Sequence, residues 1–243
     1  MTETQRPIAV VLLSGGMDSC VCAALAARDY EPAFLHMDYG QLTAARERRS
    51  FEAIADFYRV KRRLVATSAL FRQIGGSALT DSALAVPEGG VDASIIPVTY
   101  VPFRNTHLLA AAVSWGEVLE RETGKPVVVM IGAVAVDGSG YPDCRPEYFA
   151  AFQHLLEVGT RDGKARVETP LLGLHKADIV RLGLELKAPF PLSWSCYQSS
   201  EEACGRCDSC RLRRRAFRQA GTEDPIPYAN GRVEESSCLS PND

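Results

Sequence analysis

The stretch that decides the fold is Ile8-Ala9-Val10-Val11-Leu12-Leu13-Ser14-Gly15-Gly16-Met17-Asp18-Ser19. Its first six residues form a continuous apolar run rich in β-branched side chains, which predicts a central strand covered on both faces. The Ser-Gly-Gly that follows ends this strand. The next segment, Met17 to Arg28, is rich in Ala and Leu and predicts a helix. A buried strand that turns directly into a helix is typical of an α/β fold.

The same alternation continues along the chain. Further strands are predicted at 32–38, 63–66 and 126–131, and further helices at 43–58, 105–123 and 147–158. Such alternation implies parallel strands joined by right-handed crossovers. We therefore predict a doubly wound, mainly parallel five-stranded sheet in residues 1–190, with residues 191–243 as a C-terminal segment packed on it. The Gly-, Ser- and Pro-rich stretch 75–92 is predicted as a loop, either a lid or a tolerated surface insertion, and the tail after Gly221 as surface chain.

Composition narrows the class of protein. The 243 residues are 46% hydrophobic and 23% charged, with a net charge of −3, so the chain lacks the basic surplus of a general nucleic-acid binder. The first apolar run is too short to span a bilayer, and the polar N-terminus does not resemble a signal peptide. We therefore expect a cytoplasmic protein without membrane contact. In that reducing compartment, eight cysteines favour metal binding or chemistry over disulfides.

The turn after the first strand is a candidate phosphate-binding loop, comprising Leu13, Ser14, Gly15, Gly16, Met17, Asp18 and Ser19. Its glycines allow a ligand to approach the main chain, and the N-terminus of the following helix favours an anion. Asp18 would repel a bare phosphate but fits a site in which Mg²⁺ bridges it to the phosphates. The alternative is an ordinary tight turn. The motif lacks the Gly-Lys-Ser/Thr ending of Walker A.

A second candidate site is a cysteine cluster formed by Cys196, Cys204, Cys207 and Cys210. Four thiolates with two consecutive C-x₂-C steps suit a structural, tetrahedral zinc ion. A redox pair and an iron–sulfur cluster are the alternatives. The basic stretch 211–218 follows, and we predict a solvated helix face with Leu212 and Phe217 turned inward rather than an anion-facing patch.

The phosphate loop resembles the PP-loop of ATP pyrophosphatases, which cleave ATP between the α- and β-phosphates. That likeness implies that residues 36–39 lie near the adenosine. An ordered set of further motifs is similar to the 7-cyano-7-deazaguanine synthase family: Val101-Pro102-Phe103-Arg104-Asn105, the segment 137–147, Thr169-Pro170-Leu171 with His175-Lys176-Ala177, and Ser193-Trp194-Ser195-Cys196-Tyr197. The likeness covers residues 8–225. Val134 and Gly138 depart from it, because Asn and Tyr are common at those positions.

This resemblance implies an ATP-dependent ligase of queuosine biosynthesis that converts 7-carboxy-7-deazaguanine and ammonia to a nitrile through an adenylated intermediate, with Mg²⁺ and structural zinc and a possible homodimer. Asp18, Lys176 and Arg104 become the candidate catalytic residues, with Lys176 and Arg104 expected to neutralise phosphate charge. The alternative for Lys176 is a surface cation in the first turn of a helix. Asp137, Asp143 and Arg145 become candidates for substrate binding, or else for salt bridges within their loop. Cys144 is a candidate nucleophile or a buried structural cysteine.

Two rival functions remain open on the sequence alone. A PP-loop enzyme that thiolates tRNA would share the adenylation step, but it usually carries an added RNA-binding domain for which this chain has neither length nor charge. A non-catalytic zinc module with a degenerate nucleotide fold is opposed by the intact Ser14-Gly15-Gly16 and Ser19.

Overall fold

The computed structural model describes residues 6–88, 95–136 and 140–229. Within these ranges strands and helices follow one another in the order β1 Ile8–Leu12, α1 Met17–Asp29, β2 Glu31–Asp38, α2 Ala44–Phe57, β3 Arg62–Thr67, α3 Leu70–Ile74, α4 Arg104–Thr123, β4 Val127–Ile131, α5 Pro146–Gly159, β5 Arg166–Glu168, α6 Lys176–Glu185 and α7 Asp208–Gln219. Single 3₁₀ turns lie at Pro142–Cys144 and Phe190–Leu192. No helix of the described ranges is both long enough and apolar enough to cross a membrane.

The five strands form one sheet in the order β3-β2-β1-β4-β5, and every neighbouring pair is parallel. The predicted fold class is confirmed. All residues of β1 are buried, as its unbroken apolar sequence requires. The fifth strand was not located from the sequence, because its three residues, Arg-Val-Glu, contain no apolar run.

Each face of the sheet carries its own hydrophobic core, since alternate side chains of β1 point to opposite faces. Ala9, Val11 and Leu13 pack with α1, α2, α6 and α7 on one face. Val10 and Leu12 pack with α4 and α5 on the other. Helices α1 and α6 therefore approach the end of the sheet from one side, and helix α4 approaches it from the other.

The chain reverses its direction of winding at β1, because β2 adds to one side of this strand and β4 to the other. In open α/β sheets, such a switch point opens a crevice at the carboxyl ends of the strands. The last residues of β1 and β4, Leu12 and Ile131, are paired there, and the residue after β4 packs against the first turn of α1. A Cβ atom on Gly132, which follows β4, would lie 3.0 Å from the carbonyl carbon of Asp18 and 3.1 Å from the nitrogen of Ser19.

Two connecting segments are more deeply packed than the sequence predicts. In the loop at 75–92, of which residues 75–88 are described, Ser77, Leu79 and Thr80 are buried. In the tail after Gly221, Ile226 is buried against the cysteine cluster. The composition of these segments is that of surface chain, but their apolar residues are held by partners distant in sequence.

Candidate active site and metal centre

The phosphate loop connects β1 to α1 in a conformation that its glycines allow. Gly15 has a φ of +87°, and a Cβ atom there would lie 2.7 Å from the Ser50 Cβ of α2. Hydroxyl groups fix the rest of the loop: the Gly16 N–H donates to Ser14 Oγ at 3.2 Å, and Ser19 Oγ donates to the Gly16 carbonyl at 3.0 Å. The loop is thus ordered by its own side chains, and the N-terminus of α1 faces the crevice.

Asp18 and Lys176 are brought together across 158 positions of sequence. The Lys176 Nζ donates to Asp18 Oδ2 at 2.6 Å, and the two side chains are 13% and 26% exposed. Lys176 is the first residue of α6, which packs beside α1. The other carboxylate oxygen, Asp18 Oδ1, is buried and has no hydrogen-bond partner within the described residues. A buried carboxylate oxygen without a donor fits a hard cation such as Mg²⁺.

Arg104 approaches the crevice from the opposite face of the sheet, as the first residue of α4. Its guanidinium lies 5.4 Å from the Tyr39 ring centre, and Nη1 donates to Tyr39 Oη at 3.2 Å. Nη2 donates to the Asn105 side-chain oxygen at 3.2 Å. Phe103, just before Arg104, has a left-handed φ of 59°, and its N–H donates to the Tyr100 hydroxyl at 2.9 Å. Non-glycine residues in this conformation cluster at functional sites.

Two adjoining cavities occupy the crevice, with volumes of about 260 Å³ and 160 Å³. The phosphate-loop residues Ser14 and Ser19 line the larger cavity, whereas Lys176 and Val134 line the smaller. Both are lined by Met17, Asp18, Arg104, Gly132, Ala133, Tyr141, Cys144, Ser195, Tyr197 and Ser209. Met37 and Tyr39, at the end of β2, also line the larger cavity, in the region where the family resemblance expects the adenosine.

Neither of the two predicted substrate-binding residues that the structure describes, Asp143 and Arg145, lines a cavity of the crevice. Asp143 is buried outside both linings, where its Oδ2 accepts the Asn105 N–H at 3.0 Å and thereby braces the start of α4. Burial raises the pKa of this carboxyl group. Arg145 is exposed at the residue before α5 and lines neither cavity. Asp137 lies outside the described residues, as does Gly138.

Cys144 lines both cavities, and its Sγ accepts a hydrogen bond from Asn105 Nδ2 at 3.4 Å. Burial raises the pKa of this thiol to about 11. An activated nucleophilic cysteine shows the opposite shift, toward the thiolate. The structure therefore favours the packing role for Cys144.

The cysteine cluster forms a compact ligand set. The Sγ atoms of Cys196, Cys204, Cys207 and Cys210 all lie within 4.8 Å of one another, and those of Cys204 and Cys210 are 3.9 Å apart. A tetrahedral ion with metal–sulfur bonds of about 2.3 Å holds its thiolates about 3.8 Å apart. The four sulfur atoms therefore fit a single metal ion, and with all four positions taken by protein the site is structural.

Main-chain N–H groups surround these sulfur atoms as they do in a metal knuckle. Cys196 Sγ accepts from the Gln198, Ser199 and Cys204 nitrogens at 3.3–3.4 Å. Cys204 Sγ accepts from the Cys207 nitrogen at 3.3 Å. Hydrogen bonds from Cys207 and Cys210 lower the pKa of the Cys196 thiol and raise the pKa of both donor thiols, so these sulfur atoms lie close enough to share protons.

The metal centre and the phosphate loop share a wall of the crevice. The Trp194 N–H donates to the Gly15 carbonyl at 2.7 Å, and the next three residues, 195–197, line the larger cavity. The two sites are therefore linked through the main chain at Trp194 and Gly15. Sequence reasoning treated Ser193-Trp194-Ser195-Cys196-Tyr197 only as a family motif, although Cys196 within it already tied the segment to the metal.

The position of Arg213 corrects the prediction that the basic stretch 211–218 forms a solvated helix face. Arg213 is 1% exposed and forms a bidentate ion pair with Asp224 at 2.8 and 3.0 Å. It also donates to Ser195 Oγ at 3.2 Å. The inward position of Phe217 is confirmed, and Leu212 is half-buried beside the smaller cavity. Periodicity alone did not reveal that a carboxylate eleven residues later makes burial of this arginine possible.

Comparisons with known proteins show which sequences this chain is similar to. The family model described as "Queuosine biosynthesis protein QueC" matches residues 8–221. The 7-cyano-7-deazaguanine synthase of Acidobacterium capsulatum is 59% identical over 230 residues, which cover 93% of this chain and 98% of the relative. The 7-cyano-7-deazaguanine synthase of Koribacter versatilis is 56% identical, and the match covers 91% of this chain and 93% of the relative. The superposition on the NMN synthetase structure from Francisella tularensis covers 99% of this chain and 91% of the synthetase chain. Its TM-score is 0.42 and the sequence identity is 12%.

Proposed function

We propose that this chain, which belongs to the 7-cyano-7-deazaguanine synthase family, converts 7-carboxy-7-deazaguanine and ammonia to 7-cyano-7-deazaguanine with ATP. The observation that carries the proposal is the phosphate loop at the switch point of the sheet, with Asp18 and Lys176 paired beside it. That arrangement supplies an anion site, a cation and a carboxylate at one edge of a water-accessible crevice, as adenylation of a carboxylic acid requires.

The chemical difficulty lies in the carboxylate. Its oxygen is a poor leaving group and its negative charge repels a nucleophile. Transfer of AMP to that oxygen solves both problems, while pyrophosphate departs into the phosphate loop. The N–H groups at the start of α1 and the hydroxyls of Ser14 and Ser19 stabilise the charge that develops on the pyrophosphate. Lys176 neutralises further phosphate charge.

Nitrile formation needs two activations. Ammonia displaces AMP from the acyl-adenylate and gives the amide, and a second AMP transfer to the amide oxygen lets that oxygen leave. The balanced reaction consumes one carboxylate, one ammonia and two ATP, and yields one nitrile, two AMP and two pyrophosphate. Each AMP carries away one of the two carboxylate oxygens, so no water enters either product.

Two metal ions belong to the proposal. Asp18 would hold Mg²⁺ through its unpartnered Oδ1, and when bound this ion neutralises phosphate charge. The ion at the four cysteines is Zn²⁺, because zinc favours a tetrahedral set of four thiolates. Its role is structural: it orders the segment from Trp194 to Arg215, part of which forms the wall of the crevice.

A cytoplasmic location, free ammonia as the nitrogen donor and a homodimer complete the proposal. The side chains of Ile95, Ile96 and Phe103 are more than half exposed, and a second copy of the chain would remove this apolar surface from water. Sedimentation velocity tests the dimer.

The decisive experiment uses 7-carboxy-7-deazaguanine labelled with ¹⁸O at both carboxylate oxygens, with ammonium and Mg-ATP. Mass spectrometry is expected to find unlabelled nitrile and two AMP per nitrile, each with one ¹⁸O. Unlabelled AMP would contradict the adenylation of substrate.

Asp18→Ala is the matched variant for this assay. We expect it to lose pyrophosphate release with little change in the unfolding midpoint, because Asp18 contributes charge rather than core volume. Pyrophosphate release at the wild-type rate in this variant would refute the assignment of the loop.

A tRNA gel shift with a salt titration tests the rival thiolation activity, for which tight binding would be required.

A further inference from the structure

Arg104 is a cation at the crevice without an anionic partner among the described residues. The hydrogen bonds of its guanidinium go to neutral acceptors, the Tyr39 hydroxyl and the Asn105 amide oxygen. Asp143 attracts the guanidinium electrostatically, but no ion pair joins the two side chains among the described residues. Burial raises the pKa of Tyr39 to about 12, so this phenol stays neutral as well.

A guanidinium that has no ion-pair partner in a partly desolvated crevice indicates an anionic ligand. Arg213, the one arginine in the buried class among the described residues, has an anionic partner in Asp224. Arg104 lines both cavities, so its ligand lies in the crevice. ATP phosphates and the substrate carboxylate are the two anions that the proposed reaction brings there.

The position of Arg104 distinguishes between these two anions. The phosphate loop, α1 and Lys176 approach the crevice from one face of the sheet, and α4 approaches from the other. In an in-line displacement, the attacking and leaving oxygens lie on opposite sides of phosphorus. With pyrophosphate leaving into the phosphate loop, the attacking carboxylate approaches from the side away from that loop, and Arg104 enters the crevice from the face opposite to it.

We infer that Arg104 binds the carboxylate of 7-carboxy-7-deazaguanine and presents it for the first AMP transfer. This inference rests on the proposed function and assigns the smaller cavity, which Arg104 lines from one face of the sheet and Lys176 from the other, to the heterocycle. Tyr141 and Tyr197 are aromatic walls of that cavity, Val134 adds apolar surface, and Ser195 and Ser209 contribute hydroxyl groups. A flat, polar-edged ring fits such a lining, since aromatic faces stack on it and hydroxyls bond to its edge.

A consequence separates this role from phosphate binding. Only the first activation starts from a carboxylate, whereas the second starts from the neutral amide. An arginine that binds the carboxylate is needed for the acid and dispensable for the amide. A residue that neutralises ATP phosphates is needed for both, and Lys176 provides that comparison on the opposite face.

The experiment compares the acid with 7-carbamoyl-7-deazaguanine as substrates for the wild type, Arg104→Gln and Lys176→Gln. For Arg104→Gln we expect kcat/KM to fall roughly 10- to 100-fold with the acid, the range for a lost charge-assisted hydrogen bond, and less than about 3-fold with the amide. Lys176→Gln is expected to slow both substrates to a similar extent. Arg104→Lys, which keeps the charge without the fork, should lose less with the acid than Arg104→Gln.

Calorimetric binding of the acid and the amide without ATP gives the same comparison independently of turnover. Equal losses with both substrates in a folded Arg104→Gln, judged by its unfolding midpoint, would place Arg104 on the phosphates and overturn the inference. An unchanged acid-to-amide affinity ratio would overturn it too. Failure of the wild type to form nitrile from the acid would instead refute the proposed function.

Discussion

Gly15→Ala tests how closely the phosphate loop packs against α2. Gly15 has a φ of +87°, and a new Cβ would lie 2.7 Å from the Ser50 Cβ and 2.8 Å from the Glu47 carbonyl oxygen, both on α2. The substitution therefore adds two costs, one from backbone conformation and one from overlap with backbone atoms that cannot move alone.

The magnitude follows from these two terms. A left-handed conformation costs a non-glycine residue about 1–2 kcal/mol, and an extra methyl group in a packed site costs about 1–3 kcal/mol. We expect the unfolding free energy to fall by about 2–5 kcal/mol, a large part of the roughly 5–15 kcal/mol of a typical domain. Gly124→Ala is the matched control: Gly124 has a φ of +69°, but no atom lies within 4 Å of its Cβ position. It should lose only the conformational part.

Urea unfolding of both variants and the wild type measures the difference, with metal content checked so that loss of the ion does not contribute. The overlap at Gly15 predicts that Gly15→Ala is less stable than Gly124→Ala by about 1–3 kcal/mol. Equal unfolding free energies for the two variants would refute the close packing of the loop against α2.

Three further predictions concern the crevice and its wall. Gly132→Ala places a methyl group 3.0 Å from the Asp18 carbonyl carbon, and displacement of the phosphate loop should slow pyrophosphate release about 10-fold or more; wild-type kinetics would show that the loop tolerates the shift. Cys207→Ser should abolish metal binding in elemental analysis and also impair nitrile formation, because Trp194 joins the metal segment to the loop; full activity without metal would contradict this coupling. Because the raised pKa of about 11 keeps Cys144 protonated at lower pH, iodoacetamide should label it slowly up to about pH 10 in the folded protein, and rapid labelling near pH 7 would restore it as a nucleophile.

The parts predicted from the sequence are those whose chemistry is local. The apolar run of β1 and the glycines after it predicted a strand, a tight turn and the start of a helix within twelve residues, and the structure has all three; phosphate binding by the turn stays a prediction. The two C-x₂-C steps likewise restrict three ligands to seven consecutive residues, 204–210. Short-range spacing limits geometry strongly, so these sites could be located before any tertiary structure was known.

The parts that only the tertiary structure decided depend on contacts between distant segments. Asp18 and Lys176 were both candidates, but their pairing spans 158 positions. Arg145 and Arg213 are chemically alike in the sequence, yet the fold places the first on the surface and buries the second with Asp224. No local pattern encodes these outcomes, because a charged arginine can be buried only where folding brings an anionic partner to it.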